Sequence, residues 1–260
     1  MDSLEQHNLG QIEALNQRGG RTLSIVDLMR AGTLTPQMAG YCLWQVSRGG
    51  SFLTGAVPGG AGKSTLLADL LSLLPPGERI VTTPDGRSVE EARRQPPAGP
   101  TCYLCHEFGS GGYYGYLWGR TVGAFFRLAG TPHGRFAGCL HADDMHETRE
   151  VLLSPGLGVS GPDFARVGLA AFMSVQRVAP GRATHRVRSV WEADGRGGHR
   201  TVFEWDAASD QFRLVTPPPD DPRLAAAQEL MSELLAQGPA QFEAVRGRVL
   251  EWYASAGPPR

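Results

Sequence analysis

Apolar residues along the chain change their spacing in blocks, and the blocks predict alternating helices and strands. Ile25, Leu28 and Met29 recur at helical spacing. The following Gly32, Thr33, Leu34, Thr35 and Pro36 end that helix and start another. Thr35 is the predicted N-cap and Pro36 the first-turn residue, where a missing N–H costs nothing. Met38, Tyr41, Cys42 and Val46 would line one face of this second helix, which Gly49 and Gly50 stop. Residues 51–57 (SFLTGAV) form a short apolar run that predicts a buried strand. Residues 64–74 (STLLADLLSLL) are apolar almost all round, as a buried helix would be.

Further strands are predicted at 79–83, 101–105 and 135–140, with helices near 89–94, at 121–129 and at 163–175. Residues 84–100 are polar and proline-rich, and 109–119 form a glycine and aromatic loop. Strands alternating with helices argue for a parallel sheet covered on both faces. The pattern changes at 184–216, where three apolar stretches separated by turn residues predict an antiparallel edge meander. Three prolines at 217–219 read as a linker, and 223–254 as two amphipathic helices. Residues 1–20 are polar and read as a loosely held arm. The expected organisation is an N-terminal arm with lead-in helices (1–50), a core (51–216), and a linker with C-terminal helices (217–260).

With 260 residues, 41% hydrophobic and 20% charged, the chain has enough apolar material for one sizeable α/β core. Its 34 glycines and 19 prolines exceed the average share, and their scatter without a period marks them as loop residues. A net charge of −1 gives no global case for nucleic-acid binding. No apolar stretch approaches the ~18 residues of a membrane span. The first twenty residues carry no secretory pattern, and four cysteines are too few for a disulfide framework, so the cytoplasm is the expected location.

The strongest chemical signal is the run Val57, Pro58, Gly59, Gly60, Ala61, Gly62, Lys63, Ser64, Thr65 between a predicted strand and helix. Glycines let backbone N–H groups close round a phosphate, and the helix N-terminus adds partial positive charge. Lys63 would reach the β- and γ-phosphates, and the Ser64 hydroxyl would ligate Mg²⁺. Val57 stands where the usual motif begins with glycine. Glu107 follows the third strand, at the carboxyl end of the sheet where ligands sit. There it would hold the magnesium's water shell or polarise an attacking water; the structural alternative is an exposed strand-end glutamate.

Cys102, Tyr103, Leu104, Cys105 and His106 also spell a c-type haem attachment pattern. Their place in an apparent core strand favours plain buried cysteines over haem or zinc. His141, Asp143, Asp144, His146 and Glu147 lack paired metal-ligand spacing. For His141 a γ-phosphate sensor stands against a capping or solvated loop. Loop 109–119 reads as a mobile loop or subunit contact, and the arginines at 177–200 as a solvated hairpin or a contact with a neighbouring subunit or acidic partner.

In this order the motifs resemble the nucleotide-binding domain of type II and type IV secretion and pilus-assembly ATPases. "SIVDLMRAGTLTPQMAGYCLWQVSRGGSFLTGAVPGGAGKSTLLADLLSLLPPGERIVT" is similar to that family's lead-in helices, P-loop and second strand. "LCHEFGSG" resembles its Walker B segment, "GRFAGCLHADD" its histidine box, and "ARVGLAAFMSVQR" with the hairpin its closing segment, so that 22–216 are covered. The resemblance implies a P-loop NTPase (RecA-like) core, ATP and Mg²⁺ as ligands, Glu107, His141 and Asp85 as catalytic residues, and Ser64 with Glu107 at the metal. It also implies a homo-oligomeric ring, a hexamer, with a neighbour supplying missing cations. A secretion or pilus platform protein would be its partner at the inner membrane, with no nucleic acid.

The family's large N-terminal domain is missing ahead of residue 22. Its acidic box keeps only Asp85, with Pro84 in place of a glutamate, and His106 replaces the glycine before Glu107. Slow hydrolysis is the expectation. A catalytically weak, nucleotide-gated binding partner and a small-molecule kinase stay open as alternatives.

Overall fold

A computed structural model of the chain describes residues 2–16, 19–179 and 181–256. Its sheet contains β1 (Ser51–Gly55), β2 (Arg79–Thr82), β3 (Thr101–Phe108), β4 (Tyr116–Leu117), β5 (Gly134–Leu140), β6 (Val167–Ala179), β7 (Arg182–Ala193), β8 (His199–Asp206) and β9 (Gln211–Leu214). The order is β2-β3-β5-β1-β6-β7-β8-β9, with β4 beside the end of β3. The central strands β2, β3, β5, β1 and β6 run parallel, and β6 to β9 form an antiparallel meander. This is the mixed α/β sheet that the alternating pattern predicts.

Successive residues of a strand point to opposite faces, and here both faces are covered. Phe52, Leu104, Cys139 and Leu169 pack into one core layer; Leu53, Tyr103, Phe136 and Phe172 pack into the other. The first layer is closed by α1 (Ser3–Glu13), α2 (Ile25–Arg30), α3 (Pro36–Ser47), α4 (Lys63–Ser72), α9 (Pro222–Gln237) and α10 (Phe242–Ala256). The second lies under α5 (Gly86–Arg94), α6 (Arg120–Phe126), α7 (Met145–Leu152) and α8 (Gly161–Phe164). Thr35 caps α3 by accepting the Met38 N–H, with Pro36 in the first turn as expected. A β-carbon on Gly40 would stand 2.5 Å from the Gln228 Cα, so this glycine lets α9 approach α3.

Two expectations are corrected. Residues 163–175 are not a helix: α8 ends at Phe164, and β6 begins at Val167. Val167, Ala170 and Phe172 enter one core layer while Leu169, Ala171 and Met173 enter the other. A strand buried on both faces shows no apolar–polar alternation, which is why its pattern passes for a buried helix.

Nor is the N-terminal segment a loose arm over its described part; Met1, Gln17 and Arg18 lie outside the described residues. Helix α1 covers the open edge of β2 by supplying side-chain partners for its backbone. The Asn8 side chain donates to the Glu78 carbonyl at 2.8 Å and accepts the Ile80 N–H at 2.8 Å, and Gln11 accepts the Thr82 N–H at 3.1 Å. An edge strand left bare would expose these groups as a template for aggregation. Glu5 also forms a buried ion pair with Arg246 of α10, at 2.8 Å.

Candidate functional site

Strand β1 delivers the glycine-rich loop to the carboxyl end of the sheet, and α4 leaves it at Lys63. Gly60 (φ 80°) and Gly62 (φ 103°) adopt left-handed conformations that side chains rarely tolerate, and Gly62 is the N-cap of α4. The Thr54 hydroxyl donates to the Lys63 carbonyl at 3.1 Å, tying strand to helix beneath the loop.

Other elements hold the loop from outside. The Val57 N–H donates to Asp143 Oδ1 at 2.8 Å, and His141 Nδ1 lies 2.8 Å from the Val57 carbonyl. His185 Nδ1 of β7 lies 2.9 Å from the Ala61 carbonyl.

Lys63 is buried, with Nζ donating to the Ala56 carbonyl at 3.3 Å. It stands 3.8 Å from Glu107 Oε2, while His141 Nε2 lies 3.1 Å from Glu107 Oε1. His141 Nδ1 is also 3.2 Å from Lys63 Nζ. A neutral imidazole has one proton for two acceptors here, the Val57 carbonyl and Glu107. Lys63, Glu107 and His141 thus converge at one place.

Gly59, Gly60, Ala61, Gly62, Lys63, Ser64 and Thr65 line one cleft of about 430 Å³ with Glu107 and His141. Ser64 is half-buried at the start of α4. Asp85 is not among the cleft's lining residues. It is the exposed N-cap of α5, where it accepts the Ser88 N–H at 2.8 Å. Backbone and hydroxyl hydrogen bonds from Ser88 hold its carboxyl below the usual range.

Several contributors escape sequence reasoning. The end of α1 and the segment after it bring Ile12, Leu15, Asn16, Arg21, Thr22 and Leu23 to the same cleft. Arg21 is turned onto Asp27 at 2.8 Å. Asp143, inside the histidine-box segment, and His185, which has no local motif, brace the loop through contacts made only in the tertiary structure. His106 lines the same cleft with both ring nitrogens buried and without a partner among the described residues. Burial pushes its pKa down to about 4. Its ring lies edge-on to Tyr114 at 5.5 Å, and a β-carbon on Gly115 would fall 2.6 Å from it.

The metal alternatives fare differently. Cys102 belongs to one core layer and Cys105 to the other, so a three-residue offset on β3 sends them to opposite faces. Both are free and buried, as core cysteines of a central strand. Asp144 caps α7 by accepting the His146 and Glu147 N–H groups. Among the described residues no cluster of three or more His, Cys, Asp or Glu is arranged to hold a metal by itself. Arg186 is paired with Asp210 at 2.8 Å and Arg200 with Glu192 at 2.7 Å, while Arg177 and Arg182 are exposed. No helix of the described residues is long and apolar enough to cross a membrane.

Fold and site together define a mixed α/β protein with a glycine-rich loop, a buried lysine and a facing carboxylate at the carboxyl end of a largely parallel sheet. Among solved structures it is similar to the VirB11 ATPase of the Brucella suis type IV secretion system in complex with sulphate. That match has 15% identity and a TM-score of 0.45, over 76% of this chain and 57% of the other. It is also similar to the ATPase DotB of Legionella pneumophila, at 12% identity and a TM-score of 0.41, over 79% and 58%. The chain therefore spans less than three fifths of either structure. The first of these belongs to a type IV secretion system. No protein-family model and no curated protein matches the chain.

Proposed function

We propose that this chain binds ATP with Mg²⁺ on the 59–65 loop of a RecA-like P-loop core and hydrolyses it slowly, as a motor-type subunit related to secretion and pilus-assembly ATPases. One observation carries the reading. A buried lysine, preceded by two glycines at positive φ and placed at a helix N-terminus, faces Glu107 and His141 across a cleft. An anion entering there meets an ammonium and the N–H groups that the first helical turn leaves without intrahelical partners.

The donor set suits magnesium. One hydroxyl (Ser64) and one carboxylate (Glu107) fit an ion that keeps most of its waters and takes the rest of its shell from phosphate oxygens. When bound, Mg²⁺ supplies neutralisation of charge on those oxygens. The chain's own residues do the remainder. Lys63 Nζ and the loop N–H groups orient the phosphates, Glu107 accepts the proton of a water, and His141 Nε2 donates to Glu107 or releases it.

The resemblance alone carries the assembly part: a homo-oligomeric ring, a hexamer, at an inner-membrane platform protein. A second reading has its own support. Asp85 is committed to capping α5, and Pro84 offers no carboxylate, which favours a nucleotide-gated binding module without turnover. ATP binding and turnover, measured across protein concentrations with and without Mg²⁺, separate the two. Binding without turnover selects the module, and no binding ends the P-loop assignment. A monomer by light scattering at high concentration with ATP and Mg²⁺ counts against the ring.

A further inference from the structure

A loop that grips an anion must turn its N–H groups inward and its carbonyls outward. Glycine makes the first requirement possible and the second precarious, because a peptide flanked by glycine flips at little cost. The peptide between Ala61 and Gly62 is such a unit, with Gly62 at φ 103°.

Its carbonyl is held from outside the loop. His185 Nδ1 lies 2.9 Å from the Ala61 oxygen, and a carbonyl only accepts, so Nδ1 carries the proton and donates. A planar trans peptide points its carbonyl and its N–H in opposite directions. The Ala61 carbonyl turned towards β7 therefore directs the Gly62 N–H away from β7, to the inner side of the loop. The same two-stranded ribbon of β6 and β7 presses on Gly62 itself: a β-carbon there would stand 3.2 Å from Met173 Cε. Arg188 of β7 lies 3.9 Å from Asp143, which in turn accepts the Val57 N–H at the loop's other end. The ribbon thus touches the loop at Ala61 and Gly62 and reaches its other end only through Asp143.

We infer that His185 is a positioning residue for phosphate binding: by fixing the Ala61 carbonyl it keeps the Gly62 N–H aimed at the anion. This rests on the phosphate-binding reading of the 59–65 loop. Losing one such hydrogen bond should cost about 3- to 10-fold in affinity.

The test is calorimetric titration of the full chain with ATP and with inorganic tripolyphosphate, beside the thermal midpoint of the free protein. His185→Phe keeps a ring but no donor, and is expected to weaken both ligands together by that factor with little change in midpoint. His185→Asn is expected to recover the affinity, because its amide nitrogen sits where Nδ1 was. Where the Phe variant fails to fold, His185→Gln carries the comparison, its amide lying too far out to reach Ala61. Unchanged affinity in the Phe variant, or in the Gln variant where it stands in, with binding weakened in Lys63→Ala, overturns the inference and leaves the loop reading intact. A wild type that binds neither ligand overturns both.

Discussion

Lys63 Nζ and Glu107 Oε2 stand 3.8 Å apart in the cleft, both largely shielded from solvent. The cation suited to phosphate and the carboxylate suited to water are thus partners until a ligand separates them. Removing the carboxylate charge removes the lysine's competing acceptor. Glu107→Gln should therefore bind ATP at least as well as wild type while losing whatever turnover exists, since general-base assistance is worth about 10²–10⁴-fold. Titration beside a phosphate-release assay reads both, and turnover that survives the substitution removes Glu107 from its role.

Lys63→Ala takes away the only ammonium in the loop. A charge-assisted contact is worth about 1.5–3 kcal/mol, so ATP should bind roughly 10- to 150-fold more weakly. Equal affinity of wild type and variant, by titration in Mg²⁺ buffer, would disprove phosphate binding at this loop.

His106 makes stability depend on pH. Its imidazole, buried without a partner, titrates near 4 when folded, below its ordinary value of 6.5. The unfolded chain therefore takes up a proton between pH 6.5 and 4 that the folded chain refuses. Stability should fall as pH drops through that window, by on the order of 3 kcal/mol in total from this group. His106→Phe should flatten this part of the curve in urea unfolding measured from pH 7 to 4, and an unchanged slope would contradict the burial argument.

Asp69 acts in the opposite direction. It is fully buried in α4, neither carboxyl oxygen has a partner among the described residues, and burial raises its pKa well above the usual value. The unfolded carboxyl ionises from about pH 4 upward, while the folded one stays protonated, so this group costs stability as pH rises above that value. Asp69→Leu keeps the volume roughly and removes the unpaired polar atoms, and should stabilise the protein by about 1–3 kcal/mol at neutral pH. A lower melting temperature for the variant would show that the site wants its carboxyl.

Arg246 joins the two ends of the chain. Its guanidinium pairs with Glu5 of α1 and donates to the Ser72 and Leu74 carbonyls at the end of α4. Arg246→Ala strands a buried carboxylate and those carbonyls, and should cost about 3–5 kcal/mol in denaturant unfolding. A loss below 1 kcal/mol would mean that water replaces the guanidinium.

Local chemistry was written in the sequence wherever neighbours along the chain sufficed. Thr35 and Pro36 start α3 as predicted, and the glycines before Lys63 form the strand–loop–helix turn that their spacing requires. Glu107 and His141 could be set at strand ends because a parallel sheet gathers its carboxyl ends on one side, and the structure brings both to Lys63. Tertiary structure alone decided the rest. Val167 to Met173 became strand rather than helix because core layers on both sides accept its apolar residues, and burial on two faces erases the periodicity that distinguishes the two. Helix α1 docks through Asn8 and Gln11 onto backbone groups some seventy residues away, and polar side chains carry no periodic sign of such partners. Asp143 and His185 hold the loop for the same reason: a single hydrogen bond formed across the fold depends on where the sheet order puts β5 and β7, and no spacing along the chain encodes it.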